Sequence, residues 1–510
     1  MKHEPSVRIV LGCVLLCHGF AASGQSQEPP NGSATDVETR AAPWRISCAT
    51  TTCHGAIEGR GPAWNHSVST WLAHDPHAHA GRLLRDPDSR RIVERLAVNA
   101  ANDLKVYDHV LKTRCISCHT SATAKDCQSS GAIDSGLVRR GVHCESCHGE
   151  AENWLELHLR TDWTGPQRFV STGMRDTESI IGRASTCVRC HVGSRSEDGV
   201  IRDMNHDLNA AGHPALRFDL LLYNENLPKH WDVQSKSERG FSRSALRVRQ
   251  VGRAINLVAA ASLASERADD HLSDRSAAPW PEFSDYDCFA CHQSLSMREY
   301  LLPPRSDGTR KTPLHVSDGL PVWYSWHTVG NELEMRENRR ALEFLSPHRS
   351  DPAKIAPLAK QIAERFLRKA TERMAAAESD AAIRKTAERT VQAVQRDLQA
   401  SAPHDWQQAA IQYLDLDAAA RDLQRSRETE RRGRSLAQSL ARIERLLRFD
   451  SHDEDAADMQ RQSPAHFDPS AFRVNLLRLL NEWNRGELRA GRDDEHATTI
   501  PDSSSAALPR

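Results

Sequence analysis

The sequence predicts a mainly α-helical protein with little regular sheet, built in two parts of unlike character. Three observations predict it. Apolar residues recur at helical spacing, as Val251, Ile255 and Val258 in the first part and Ile355, Leu358, Ile362 and Phe366 in the second. Alternating, period-2 strand patterns are few. Ten cysteines fall into five short pairs, each followed directly by histidine, and all stand before residue 293.

At 510 residues the chain exceeds one compact core, so two structural units with a tail are expected. Residues 1–24 read as an export signal. Lys2 and Arg8 precede an apolar run from Ile9 to Phe20, and the small residues Ala21, Ala22, Ser23 and Gly24 follow. That run is too short for a spanning helix, so no transmembrane segment is expected after its removal. The expected location is therefore periplasmic, or otherwise exported. Residues 25–43 are a polar linker rich in Gly, Ser, Pro and Asn. A net charge of −1 and a mean hydropathy of −0.60 give no support to nucleic-acid binding or a membrane protein.

Thirteen cysteines in an exported chain would ordinarily suggest disulfides. Cys13 and Cys17 lie in the signal, and Cys127 is left over as a buried or free thiol of unknown role. The other ten form five pairs, each followed directly by histidine, for which a disulfide scaffold has no use. Four segments read Cys-x-x-Cys-His: Cys115 to His119, Cys144 to His148, Cys187 to His191 and Cys288 to His292. This is the c-type haem signature. Cys115, Cys118, Cys144, Cys147, Cys187, Cys190, Cys288 and Cys291 would form thioethers with haem vinyl groups. His119, His148, His191 and His292 would bind iron as proximal ligands. The competing reading, a zinc or redox Cys-x-x-Cys, does not call for a histidine after every second cysteine. Cys48-Ala-Thr-Thr-Thr-Cys53-His54 is a fifth, widened site. Its small residues allow the loop to bulge so that both thiols reach the vinyls; a disulfide or unmodified thiols are the alternative there. About five covalent haem c groups are the expected cofactors. They would supply much of the core that a poorly hydrophobic chain lacks.

Haems devoted to electron transfer take two strong protein ligands. Met is scarce, at 7, and His abundant, at 25, so bis-His coordination and low potentials are expected. Spare histidines cluster among the attachment segments: His77 in Asp75-Pro76-His77, His158 after Trp154, and His206 and His213 before Pro214. His206 and His213 are seven residues apart, so one helix would put both on one face, serving two haems. His327, in Trp326-His327, is a weaker choice for the fifth. His66, His74, His79 and His143 read as ordinary surface or core histidines.

With these residues in place, the sequence resembles the cytochrome c-554 family of bacterial multihaem cytochromes over residues 44 to 330. The resemblance rests on Asp75-Pro76-His77, on Gly141-Val-His-Cys144-Glu-Ser-Cys147-His148-Gly149, on Trp154 with His158, on the block from Asn205 to Pro214, and on Tyr286-Asp-Cys288-Phe-Ala-Cys291-His292. It implies a mostly helical fold, haems stacked in close pairs and periplasmic electron transfer. It also implies that His77, His158, His206 and His213 are distal ligands. The chain departs from the four-haem members in carrying one attachment site more and in the width of the first.

Residues 44–345 thus form the expected multihaem cytochrome c domain. Residues 346–485 have no cysteine. Leu436, Leu440, Ile443 and Leu447 mark a second helix after that at Ile355, and Ser470 would cap a third carrying Phe472, Leu476, Leu479 and Trp483. This is a helical bundle or arm, expected to be separable from the haems. Residues 486–510 read as a disordered tail. The fold class is therefore mainly α: an irregular multihaem cytochrome c domain with a haem-dominated core, followed by a C-terminal helical bundle or arm.

The expected function is an electron relay between redox partner proteins, more an electron carrier than an enzyme. The rival is a multihaem oxidoreductase acting on a small nitrogen compound at one open iron. A third reading is a haem-stabilised binding or scaffold module. No Cys-x-x-Cys-Lys, which marks the catalytic haem of one such enzyme class, occurs in the chain. Donor, acceptor and oligomeric state are not legible.

Overall fold

The computed structural model describes residues 48–121, 141–163, 165, 167–195, 199, 201–231, 242–275, 280–285, 351–400, 406–447 and 467–486. The Cys288–His292 segment, His327, Cys127, the signal, the linker and the tail lie outside the described residues. The described chain is mainly helical, as expected. Its only sheet, among the described residues, is the antiparallel pair β1 (Gly193–Arg195) and β2 (Ile201–Asp203).

The N-terminal part is a string of short helices: α1 (Ser67–His74), α2 (Pro87–Leu96), α3 (Leu104–Val110), α4 (Ile116–His119), α5 (Cys144–His148), α6 (Gln167–Ser171), α7 (Ile180–His191), α8 (His206–Ala210) and α9 (Leu220–Asn226). Side chains start several of them. Asp103 caps α3, Ser179 caps α7, Asn205 caps α8 and Asp219 caps α9, each accepting from a first-turn backbone N–H. Between α3 and α4 the helix widens into a π turn over Leu111–Cys115, which delivers the first cysteine of its attachment segment. Here His206 and His213 part company. α8 ends at Ala210, and Gly212, at φ +107°, turns the chain before His213. The expected two-turn helix carrying both does not form, because only glycine adopts that conformation without strain.

The long helix α10 (Ala245–Leu272) joins the two parts. It is the helix foreseen from Ser244, and Ser244 is its cap. Beyond it stand α11 (Pro352–Ala375), α12 (Asp380–Ala400), α13 (Trp406–Gln424), α14 (Glu430–Glu444) and α15 (Pro469–Arg485). α15 is capped by Asp468, whose carboxylate accepts from Ser470 and Ala471 N–H; Ser470 lies inside the helix and is not the cap.

One apolar core crosses the boundary at 345. Ile180, Phe218, Leu246, Val251 and Ile255 belong to the same buried cluster as Val391, Ile411, Leu416, Leu440 and Phe472. α11 packs along α10 through Leu257, Ala261, Ile355 and Phe366. The change of composition at 345 is not a break in packing among the described residues. Polar groups reinforce the join. Arg249, 1 % exposed, donates to Asp219 and to Asp415 (2.7 Å). Asp422 of α13 accepts from Ser244 Oγ (2.6 Å) and Ala245 N (2.7 Å) at the start of α10.

Candidate haem sites

In two of the described attachment segments both thiols and the histidine fall within one helical turn. In a helix, residues three and four apart are neighbours. Cys144, Cys147 and His148 occupy the single turn of α5, and Cys187, Cys190 and His191 the last turn of α7. The widened segment is not helical, yet His54 N donates to Cys48 O at 3.1 Å. In a helix the same bond joins residues i and i+4. Two extra residues are looped out and the closure is kept. The loop is tight enough that a Cβ on Gly55 would lie 2.0 Å from Ala49 O, so only glycine fits.

Every described proximal histidine faces a second histidine. Ring centroids stand 6.4 Å apart for His54 and His158, 6.0 Å for His77 and His191, 6.2 Å for His119 and His213, and 6.3 Å for His148 and His230. A metal–imidazole bond is about 2.0 Å and a ring nitrogen lies roughly 1.1 Å from its centroid, so two rings sharing one metal stand about 6.2 Å apart. The four separations match that spacing. Both members of three pairs are legible in the sequence, His54, His119 and His191 from their cysteines and His158, His213 and His77 from their surroundings. The fourth partner, His230, is not. It stands alone in Pro228-Lys-His230-Trp231, away from the other histidines, and only a count of proximal ligands lacking a partner could have drawn attention to it.

A histidine that binds metal through one nitrogen usually donates the other N–H to an oxygen, which fixes tautomer and ring. Six of these eight rings do so through Nδ1 to a carbonyl or carboxylate oxygen, and His148 Nδ1 lies 3.5 Å from Thr177 Oγ1. His54 donates to Trp64 O (2.6 Å), His77 to Asp75 Oδ1 (2.8 Å), His119 to Ala80 O (3.1 Å), His158 to Leu155 O, His213 to Pro214 O (2.9 Å) and His230 to Pro228 O (3.2 Å). That leaves Nε2 for the facing partner. Burial, with the neighbouring histidines His230 and His54, pushes His148 down to about 4. Burial and His77 push His191 down to about 4. Burial also lowers His119, His213 and His230, so these rings stay neutral and able to ligate. His77 is raised instead, because its hydrogen bond to Asp75 outweighs burial.

Cys115, Cys144 and Cys187 are held as neutral thiols. Burial pushes Cys144 and Cys187 up to about 11 and Cys147 up to about 12. Zinc would need thiolate or imidazole ligands in fours. Among the described residues no group of three or more His, Cys, Asp or Glu is placed to hold an ion. Paired histidines flanked by thiols instead fit a macrocycle that brings four nitrogens of its own.

The segments also touch one another in a fixed order. Cys48 adds to the rise of Cys144, and Cys187 and Cys190 add to that of Cys147. Cys190 Sγ lies 4.0 Å from Ser117 O, beside Cys118. The first segment therefore neighbours the third, the third the fourth, and the fourth the second. Gly141, at φ +62°, lets the chain entering α5 lie against His77, with Val142 N donating to His77 O at 2.9 Å.

His206 faces none of these histidines. Its backbone N donates to Glu282 Oε1 (2.8 Å), and its ring meets Phe283 edge-on at 5.8 Å. His66 bonds Thr70 and His74 bonds Glu58.

Residues 47–149 match the family model described as cytochrome c554 and c-prime, so over this stretch the chain is similar to that family. The match supports a c-type cytochrome electron carrier with covalently bound haem c. No curated protein and no solved structure matches the chain. No helix among the described residues is long and apolar enough to cross a membrane.

Proposed function

We propose that the chain is a periplasmic relay that passes electrons between redox partner proteins through about five haem c groups, most or all of them bis-His. The observation that carries this reading is the set of four histidine pairs at the separation of two rings on one metal. Haem, when bound, supplies reversible one-electron iron chemistry. The chain's residues do the rest. Cys48 with Cys53, Cys115 with Cys118, Cys144 with Cys147, and Cys187 with Cys190 anchor four groups. His54, His119, His148 and His191 would bind the iron as proximal ligands, and His158, His213, His230 and His77 would be their respective candidate partners, paired as His54 with His158, His119 with His213, His148 with His230 and His191 with His77. The Nδ1 bonds hold the rings in place through a change of iron charge, which keeps reorganisation small.

Cys288, Cys291 and His292 carry the fifth group in this reading. His206 is its distal ligand, because its backbone is tied to Glu282 and its ring rests on Phe283, a few residues before Cys288. His327 is then not required. With both axial sides taken, the reading favours a relay over the oxidoreductase, which needs an open iron. The order of neighbouring thiols makes the first and second segments the two ends of the described series.

Intact mass of the exported, mature protein tests this. Five haem additions are expected, on a chain lacking the signal. Four additions with free Cys48 and Cys53 would remove the widened site, and retention of residues 1–24 would remove the cleaved export signal.

A further inference from the structure

The end of the series at His54 and His158 carries a surface of distinct chemistry. Residues 151–159 form a helical stretch of two short 3₁₀ turns joined by a turn. Its inner side holds Ala151, Trp154 and His158; Trp154 is 8 % exposed and its ring meets His158 edge-on at 5.6 Å. At helical spacing, Glu152, Glu156 and Leu159 fall on the opposite side. All three are exposed, Leu159 by 73 %, and Glu150 beside them is exposed too. Because they point away from His158, their exposure does not depend on what lies between the two rings. Neighbouring charges are already matched: Arg160 pairs with Asp162 (2.7 Å) and Glu58 with His74 (2.9 Å). Nothing in those pairs offsets Glu150, Glu152 and Glu156. Ile57, 66 % exposed, follows Ala56, whose N–H is bound to the loop at Asn65, and adds apolar area on the His54 side. At the opposite end of the series the exposed cations Arg82, Arg85, Arg90, Arg91 and Lys105 outnumber the exposed acids Asp86, Asp88 and Asp103.

We infer that the surface formed by Glu150, Glu152, Glu156, Leu159 and Ile57 is the docking site for a cationic electron-transfer protein, one whose cofactor edge is ringed by lysines. The inference rests on the relay reading, and gives its His54 end a partner. Charge complementarity selects the occupant. Uncompensated carboxylates steer a basic partner to this end, while the basic far end repels it. The apolar residues give a small, dry contact of the kind short-lived redox encounters use. His158 then stands one side chain behind the contact.

The test follows the reaction of the reduced, full-length holoprotein with ferric mitochondrial cytochrome c, a lysine-ringed acceptor, by stopped flow. The rate constant is expected to fall about tenfold or more between about 0.01 M and 0.5 M salt, as the Debye length shrinks severalfold. The triple variant Glu150→Gln, Glu152→Gln, Glu156→Gln should lose most of that salt dependence and react about tenfold more slowly at low salt, while matching the native protein at high salt. Haem count and reduced spectrum of the variant should be unchanged, which checks folding. Lys105→Gln serves as control and should not slow the reaction. A variant with full haem content and native salt dependence would overturn the docking site and leave the relay reading standing. Absence of haem on Cys48 and Cys53 would overturn that reading at this end, and the docking site with it.

Discussion

His148 and His230 face each other with ring centroids 6.3 Å apart and planes at 79°, although 82 positions separate them in the chain. His148 comes from α5 and His230 from the chain after α9, held by its Nδ1 bond to Pro228 O. Arg183 lies over the neighbouring Trp231 ring at 4.8 Å and anchors that turn. Replacing His230 by Ala should leave His148 as a lone axial ligand. About one fifth of the Soret intensity should turn high-spin and reactive toward carbon monoxide when reduced, with haem count unchanged. An unchanged spectrum would remove His230 from the ligand set.

Asp75 is 4 % exposed and accepts from both the backbone N and Nδ1 of His77. A carboxylate in that position makes the imidazole a stronger donor. Asp75→Asn should weaken the hold of His77 by about 10–100-fold, read as displacement by added imidazole. The potential of the group between His77 and His191 should rise, since a poorer donor stabilises ferric iron less. Redox titration should show one component moved upward and the others in place.

Arg249 joins α9, α10 and α13 through Asp219 and Asp415, in surroundings that exclude water. Removing one partner of a buried pair leaves an uncompensated charge, at a cost of about 3–5 kcal/mol. Arg249→Ala, which strands two carboxylates, should lower the unfolding midpoint by several degrees or prevent accumulation of the protein. Arg249→Met with Asp219→Asn and Asp415→Asn should recover much of the loss, because no charge is then left buried.

A chain ending at residue 346 should not survive as a folded cytochrome. It would expose Leu246, Val251, Ile255 and Leu257, each 2 % exposed or less. Each such side chain contributes about 1.5–3 kcal/mol on burial. Soluble, fully haem-loaded protein from that truncation would show that the shared core is dispensable.

The attachment residues were legible because their chemistry demands fixed types at fixed spacing, and thirteen cysteines leave little room for accident. Helix α10 was legible from its Ser244 cap and apolar spacing, and α11 and α14 from their stripes of Ile and Leu. α12 and α13 escaped notice. α12 was readable, since Ile383, Val391, Val394 and Leu398 recur at helical spacing on its buried face, whereas α13 is buried nearly all round, with Ala409, Ala410 and Ala418 to Ala420 beside Ile411, Leu416 and Leu423, and so shows no one-sided stripe. His230 was missed because a distal ligand has no spacing rule tying it to its thiols. The shared core was missed for a similar reason: composition changes at 345, while contacts between α10 and the later helices are long-range and leave no local mark.

Carbon monoxide titration of the reduced, full-length holoprotein tests the central claim most directly. Iron between two histidines is low-spin, and a small ligand must first displace a side chain. With four facing pairs and His206 for the fifth group, at most one haem in five should respond, so only a minor fraction of the Soret band should shift. A large, rapid shift involving most of the haem, together with turnover of hydroxylamine or nitrite, would contradict the relay and establish open iron in its place.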